Sequence, residues 1–202
     1  MCIRDSLLTM RGGPCIYQGS EIGMINVAFE TLEEYDDVEV INLHKEWKAA
    51  GRDTAPLLKA VQQQGRDNAR TPIQWSREPH AGFTTGTPWL KVNPNFTEIN
   101  VEAALADEDS IFHFYKKMLA FRKANKTLIY GDLKLFLPEH EQIFAFQRKD
   151  NEGDFIVVLN FSDTNQILPV EIPLEGYQLT LSNYQQLNDS LRPWESRVYR
   201  QI

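Results

Sequence analysis

Gly65-Arg66-Asp67-Asn68-Ala69-Arg70-Thr71-Pro72-Ile73-Gln74-Trp75 is the stretch on which the reading of this chain turns. It is too rich in charged, amide and aromatic groups for a plain connector. Two arginines flank an Asp-Asn pair, so one guanidinium can fork onto a carboxylate or vicinal hydroxyls while the other ties the loop to its scaffold. Trp75 offers a flat apolar face on which a pyranose can stack. The competing reading is a structural loop whose charges pair only with one another.

Outward from this stretch lie Tyr17-Gln18-Gly19-Ser20-Glu21-Ile22-Gly23-Met24 on one side and Leu191-Arg192-Pro193-Trp194-Glu195 on the other. The three stretches, in this order, resemble the α-glucosidase and oligo-1,6-glucosidase branch of the α-amylase superfamily, glycoside hydrolase family 13, over residues 7 to 202. That resemblance implies an α/β catalytic (β/α)8 TIM barrel followed by an all-β domain. A whole barrel takes roughly 250 residues, so a chain of 202 is expected to be a C-terminal portion. On this reading residues 1–6 have no counterpart in the family and form a non-native start. Residues 7–127 hold the last barrel strand, a long insertion at the catalytic face and the last barrel helix, and 128–202 form a C-terminal antiparallel β-sandwich.

The periodicities agree with that division. Gly12-Gly13-Pro14 breaks a helix ending near Met10, and Cys15-Ile16-Tyr17-Gln18 has the apolar-to-polar character of an enclosed strand, the eighth of the barrel. Helices are predicted over 38–50, 54–64, 101–106 and 110–126. Ile111, Phe112, Tyr115, Met118, Leu119 and Arg122 recur along the last of these at helical spacing. Beyond Thr127 the period becomes alternating, with strands predicted over 132–137, 142–148, 154–161, 167–172, 177–182 and 196–200. Trp194 and Tyr199 are expected to lock this domain onto the barrel.

A formal charge of −7 argues against a nucleic-acid partner, whose phosphates need a basic patch, and a neutral sugar fits better. No apolar run approaches the roughly 18 to 20 residues of a membrane span. Cys2 and Cys15 are too few for a disulfide framework, which favours a reducing, cytoplasmic location. The expected partner is an oligosaccharide, with neither nucleic acid nor membrane, and the oligomeric state is left open.

The resembled enzymes are retaining glycosidases that use an aspartate nucleophile, a glutamate acid/base and a second aspartate on sugar hydroxyls. Their signatures Gly-Phe-Arg-x-Asp and Asn-His-Asp do not occur in this sequence. No catalytic residue is assigned, and the chain alone is expected to be inactive. The resemblance instead makes Arg66 the arginine that pairs with an aspartate outside this chain and clamps the subsite −1 glucose, with a scaffold salt bridge as the alternative. It makes Glu39 a subsite +1 ligand, although a carboxylate near a helix start also complements the helix dipole. Arg70 is read as holding the loop. No metal-ligating cluster is present, and the calcium known in the family belongs to a barrel loop outside this chain. Gly13, Cys15 and Ser20 stand where the family carries Thr, an aromatic residue and Glu, and Ser20 removes a charge beside the catalytic face. The family's rival activities are trehalose-6-phosphate hydrolysis and sucrose isomerisation, and its non-enzymatic rival is an amylase-like transporter heavy chain.

Overall fold

Among the residues described in the computed structural model, 2–186 and 188–202, the chain divides into two compact units. One is built from residues up to 15 together with 114–202, the other from 16–113.

The first unit is a β unit. Strands β1 (Asp132–Phe136), β2 (Ile143–Lys149), β3 (Asp154–Asn160), β5 (Tyr177–Ser182) and β7 (Ser196–Gln201) form one antiparallel sheet in the order β1-β2-β3-β7-β5. A ribbon of β4 (Gln166–Ile167) and β6 (Ser190–Leu191) is the second, smaller sheet. The turn between β2 and β3 is set by Asp150, whose Oδ1 accepts from the Glu152 and Gly153 amides at 2.8 and 3.0 Å. This is the self-bonding turn chemistry that suits aspartate to such corners.

One face of the large sheet presents Ile143, Ala145, Ile156 and Val158, which cluster with Ile172 and with Leu191 of the ribbon. The other presents Phe146, Phe155 and Val157, all buried, and is covered by α1 (Cys2–Thr9), α5 (Ile111–Ala124) and α6 (Thr127–Tyr130). Phe121 of α5 meets Phe155 edge-on with ring centroids 6.0 Å apart. With both faces covered, β3 is buried at every position, and each of its large apolar side chains stabilises the fold by roughly 1.5–3 kcal/mol.

Two buried arginines tie this unit together without a carboxylate as their hydrogen-bond partner. Arg148 of β2 donates Nη1 to the carbonyls of Thr9 and Leu128 at 2.8 and 2.7 Å and Nη2 to that of Gly131 at 2.6 Å. Arg122 of α5 donates to the Leu8, Met10, Leu128 and Gly12 carbonyls. The carbonyls at the end of α1 have no partner within the helix, so the two guanidinium groups cap it. Burial pulls both arginine pKa values down.

The second unit is loop-rich. Helices α2 (Val38–Ala49) and α3 (Ala55–Gln64) pack through Val40, Leu57 and Val61 onto Val27, Phe29, Leu32, Tyr35 and Leu90. A short helix, α4 (Val101–Ala106), is capped by Asn100, whose side chain accepts from the Ala103 amide at 2.7 Å. None of the described helices is long and apolar enough to cross a membrane.

The structure departs from the sequence reading in four places. The strand expected over Cys15–Gln18 does not form: among described residues no strand precedes β1, so nothing pairs with this segment. The compact units divide at 15/16 and 113/114 rather than at 127/128, because α1 lies against β3 and the later part of α5 packs on the same sheet. The strand expected over 167–172 shrinks to Gln166–Ile167, since Pro169 lacks the amide a ladder needs. The two layers are thus unequal, five strands against two. The stripe on α5 narrows to Tyr115, Met118 and Arg122, which are buried, whereas Leu119 is exposed.

Replacing Arg148 by Ala removes the donors it gives to the carbonyls of Thr9, Leu128 and Gly131, of which Leu128 keeps Arg122, and is expected to cost about 3 kcal/mol. Arg148→Lys should recover only part, because an ammonium cannot span the same acceptors. Urea unfolding followed through amide exchange of β2 and β3 measures both, and an unchanged midpoint for Arg148→Ala contradicts the assignment.

Candidate substrate-binding site

The Gly65–Trp75 loop is fastened to the end of α3 before it reaches any ligand. The Gly65 amide donates to the Val61 carbonyl at 2.7 Å, and a β-carbon on Gly65 would stand 2.6 Å from that same oxygen. Only glycine permits so close an approach. Asn68 then donates its side-chain amide to the Val61 and Gln62 carbonyls at 3.2 and 3.1 Å, satisfying the end of the helix and fixing the turn Arg66–Ala69.

Within that turn the charges alternate in direction. Asp67 is fully buried, and its Oδ2 accepts from the backbone amides of Asp36 and Asp37 at 2.8 and 2.9 Å. Its Oδ1 lies 3.3 Å from Arg70 Nη1. Arg66 points the other way and forks onto Asp37, Nε to Oδ2 at 2.6 Å and Nη2 to Oδ1 at 2.7 Å. The same Nη2 reaches Glu39 Oε2 at 3.2 Å. Asp37 also accepts from the Glu39 amide at 2.9 Å and so caps α2. Arg66 and Glu39, named from sequence as the sugar ligands, therefore stand side by side.

Their exposure differs from that of their anchor. The side chains of Arg66 and Glu39 are 55% and 69% exposed, whereas Asp37 is 2% exposed. A guanidinium edge and a carboxylate that share one surface offer donors and an acceptor within one hydrogen-bond length. A sugar hydroxyl, at once donor and acceptor, matches such a pair. The carboxylate that holds Arg66 in this structure is Asp37, a residue the sequence reading left without a role in favour of an aspartate outside the chain. Asp67 was likewise unassigned. Arg70 holds the loop as expected, through Asp67 and through Asp37 Oδ2 at 3.5 Å.

Beside Arg70 opens a cleft of about 490 Å³ lined in part by Tyr17, Met24, Ile73, Phe83 and Trp89. Tyr17, Phe83 and Trp89 are 60%, 43% and 56% exposed, and their rings give the cleft apolar walls against which a sugar face can lie. Trp75, the ring the sequence singled out, is half exposed but does not line this cleft. Gln74 is buried and spends its amide on Asn95 and the Ile99 carbonyl at 2.9 and 2.6 Å. Glu21 bends back onto the Gly19 amide at 2.8 Å. Burial, with the fields of Asp67 and Glu34 behind it, pushes the Tyr35 hydroxyl up to about 12, so it stays protonated at neutral pH. Among the described residues no three His, Cys, Asp or Glu side chains gather as a metal site.

An alpha-amylase catalytic-domain family profile matches residues 2–131, and the chain belongs to the alpha-amylase family. Among named relatives, the oligo-1,6-glucosidase of Halalkalibacterium halodurans is 46% identical over 198 residues, 94% of this chain and 35% of the relative. The glucan 1,6-alpha-glucosidase of Streptococcus pneumoniae is 42% identical over 189 residues, 93% of this chain and 35% of that protein. In three dimensions the chain is similar to the trehalose-6-phosphate hydrolase of Bacillus licheniformis, with a TM-score of 0.91 and 37% identity over 98% of this chain and 38% of the other. The isomaltulose synthase of Klebsiella sp. LX3 follows with a TM-score of 0.87 and 35% identity, covering 98% of this chain and 37% of the other. The chain thus spans about a third of the length of the relatives it matches.

The Arg66 fork and the Glu39 amide hold the Asp37 carboxyl below its ordinary range, against the opposing effect of burial. A depressed folded-state pKa gives stability that is complete above the unfolded value of about 3.9 and is lost as pH falls through the folded one. The stability difference between wild type and Asp37→Asn should therefore be largest near neutrality and shrink below about pH 4. Amide exchange of α2 and α3 across that range reads it, and a difference that is constant with pH contradicts the ion pair.

Proposed function

We propose that this chain supplies the sugar-recognition part of a retaining α-glucosidase that removes terminal α-1,6-linked glucose from short oligosaccharides. The nucleophile, the acid/base and the stabilising aspartate then come from outside these 202 residues. The observation that carries the reading is the convergence of Arg66 and Glu39, 27 residues apart in sequence, into one exposed donor-acceptor pair. The names of the relatives support the α-1,6 preference, since they are an oligo-1,6-glucosidase and a glucan 1,6-alpha-glucosidase.

In this reading Arg66 grips the subsite −1 glucose. Its Nε and one N–H of Nη2 are committed to Asp37 and the other N–H of Nη2 reaches Glu39, which fixes the plane of the guanidinium and leaves the Nη1 donors for hydroxyls. A planar, permanently charged fork is suited to this because its direction is set before the sugar arrives. Glu39 meets the leaving-group sugar in subsite +1 and accepts from its hydroxyls. Arg70 and Asp67 keep the loop in place. The exposed, free Cys15 suits the reducing, cytoplasmic compartment that this reading assigns. A trehalose-6-phosphate hydrolase is the second reading, favoured by the TM-score of 0.91 to such an enzyme.

The test joins residues 7–202 to the preceding two thirds of the Halalkalibacterium halodurans oligo-1,6-glucosidase. The joined enzyme is expected to hydrolyse isomaltose faster than trehalose 6-phosphate, and the 202-residue chain alone to release no glucose. Arg66→Ala leaves a buried carboxylate uncompensated and should lower kcat/KM by roughly a hundredfold, about 3 kcal/mol. An inactive joined enzyme, or a folded Arg66→Ala variant with near-wild-type turnover, contradicts the reading. Preference for trehalose 6-phosphate establishes the second reading in its place.

A further inference from the structure

Asp37 is among the least exposed carboxylates of the loop unit, and the hydrogen bonds its carboxylate accepts come from Arg66 and from the Glu39 amide, with Arg70 Nη1 3.5 Å away. We infer that Asp37 is the positioning residue that aligns Arg66 and Glu39 as a single sugar-binding pair, an inference that rests on the subsite reading above.

Three observations lead there. The first is that one carboxylate serves both ligands. Oδ1 accepts from the Glu39 amide at 2.9 Å and from Arg66 Nη2 at 2.7 Å, while Oδ2 accepts from Arg66 Nε at 2.6 Å. The helix that carries Glu39 and the guanidinium that faces it are thus referred to the same two atoms. The second is reciprocity. The Asp37 side chain reaches Arg66, and the side chain of Asp67, the next residue along, reaches back to the Asp36 and Asp37 amides at 2.8 and 2.9 Å. Two segments crossed in this way resist sliding past each other, since any shift strains both sets of bonds.

The third concerns charge. Asparagine caps a helix as well as aspartate does, so the cap alone gives no reason for a buried negative charge at this position. The carboxylate also lies 3.5 Å from Arg70 Nη1, and it holds Arg66 by an edge that leaves that side chain 55% exposed. Both features follow if the carboxylate holds a guanidinium that must remain presented to solvent. With that charge removed, the nearest carboxylate to the Nη2 of Arg66 is Glu39, now 3.2 Å away. Arg66 would then be held by Glu39 alone, to which it already donates, and the plane of its guanidinium would no longer be fixed.

Asp37→Asn separates the two roles, because it keeps the cap and loses the fork, and Asp37→Ser serves as a second variant able to cap. In the 202-residue chain, nitrogen-15 NMR should show exchange of the Arg66 Nε proton at least about tenfold faster in Asp37→Asn. The amides of α2 should lose less protection than the Arg66 Nε proton does. In the joined enzyme, Asp37→Asn should raise KM for isomaltose about tenfold with kcat little changed. The double variant Asp37→Asn/Arg66→Ala should be no worse than Arg66→Ala. Unaltered Arg66 exchange, wild-type kinetics for Asp37→Asn where Arg66→Ala is impaired, or additive losses in the double variant each overturn the inference while leaving the subsite reading intact. A silent Arg66→Ala removes the subsite reading itself, and the inference with it.

Discussion

The buried carboxylate of Asp37 is the constraint from which the candidate site follows. An ionised side chain at 2% exposure is tolerated only if its lone pairs are filled. Here they are filled by an amide of α2 and by the Arg66 fork. Satisfying that demand determines where α2 starts, where Glu39 stands on its first turn and in which plane Arg66 lies. Asp67 meets a similar demand by taking the Asp36 and Asp37 amides. The loop is therefore held by two aspartates facing in opposite directions, and the exposed arginine and glutamate are what remain for a ligand.

A different device holds the β unit. Arg122 and Arg148 send their donors to backbone carbonyls, not to acids. Those carbonyls belong to the end of α1 and to the segment leading into β1, the places where helical and ladder bonds run out. Apolar packing on both faces of β3 supplies most of the stabilisation, and the two guanidinium groups make it specific by satisfying backbone that packing would otherwise strand. The result is attachment of α1 to the sheet through hydrogen bonds to backbone carbonyls.

Much of this was legible in the sequence because periodicity and turn chemistry are local. The α2, α3, α4 and α5 helices and the strands β1, β2, β3, β5 and β7 lie where alternation, helical spacing and caps put them. The ribbon was not, since a two-residue strand such as Ser190–Leu191 carries no period to detect. The strand expected over Cys15–Gln18 failed for a different reason: strand propensity needs a partner, and pairing is a property of the sheet and not of four residues. In the site, Arg66, Glu39 and Arg70 stood out by residue type and by family resemblance. Asp37 did not, although an aspartate directly before Val38 and a helical run is a cap signal. What no local pattern revealed was that the same carboxylate would take the Arg66 fork across 29 residues.

The most direct measurement is a crystal structure of the joined enzyme with isomaltose bound and its turnover blocked. Arg66 is expected to keep its fork on Asp37 and to donate an outward N–H to a hydroxyl of the non-reducing glucose, at about 2.7–3.2 Å. Glu39 is expected to accept from the second sugar. A complex in which the sugar lies beyond hydrogen-bond reach of both side chains, with the ion pair unchanged, would contradict this and leave Arg66, Asp37 and Glu39 as scaffold alone.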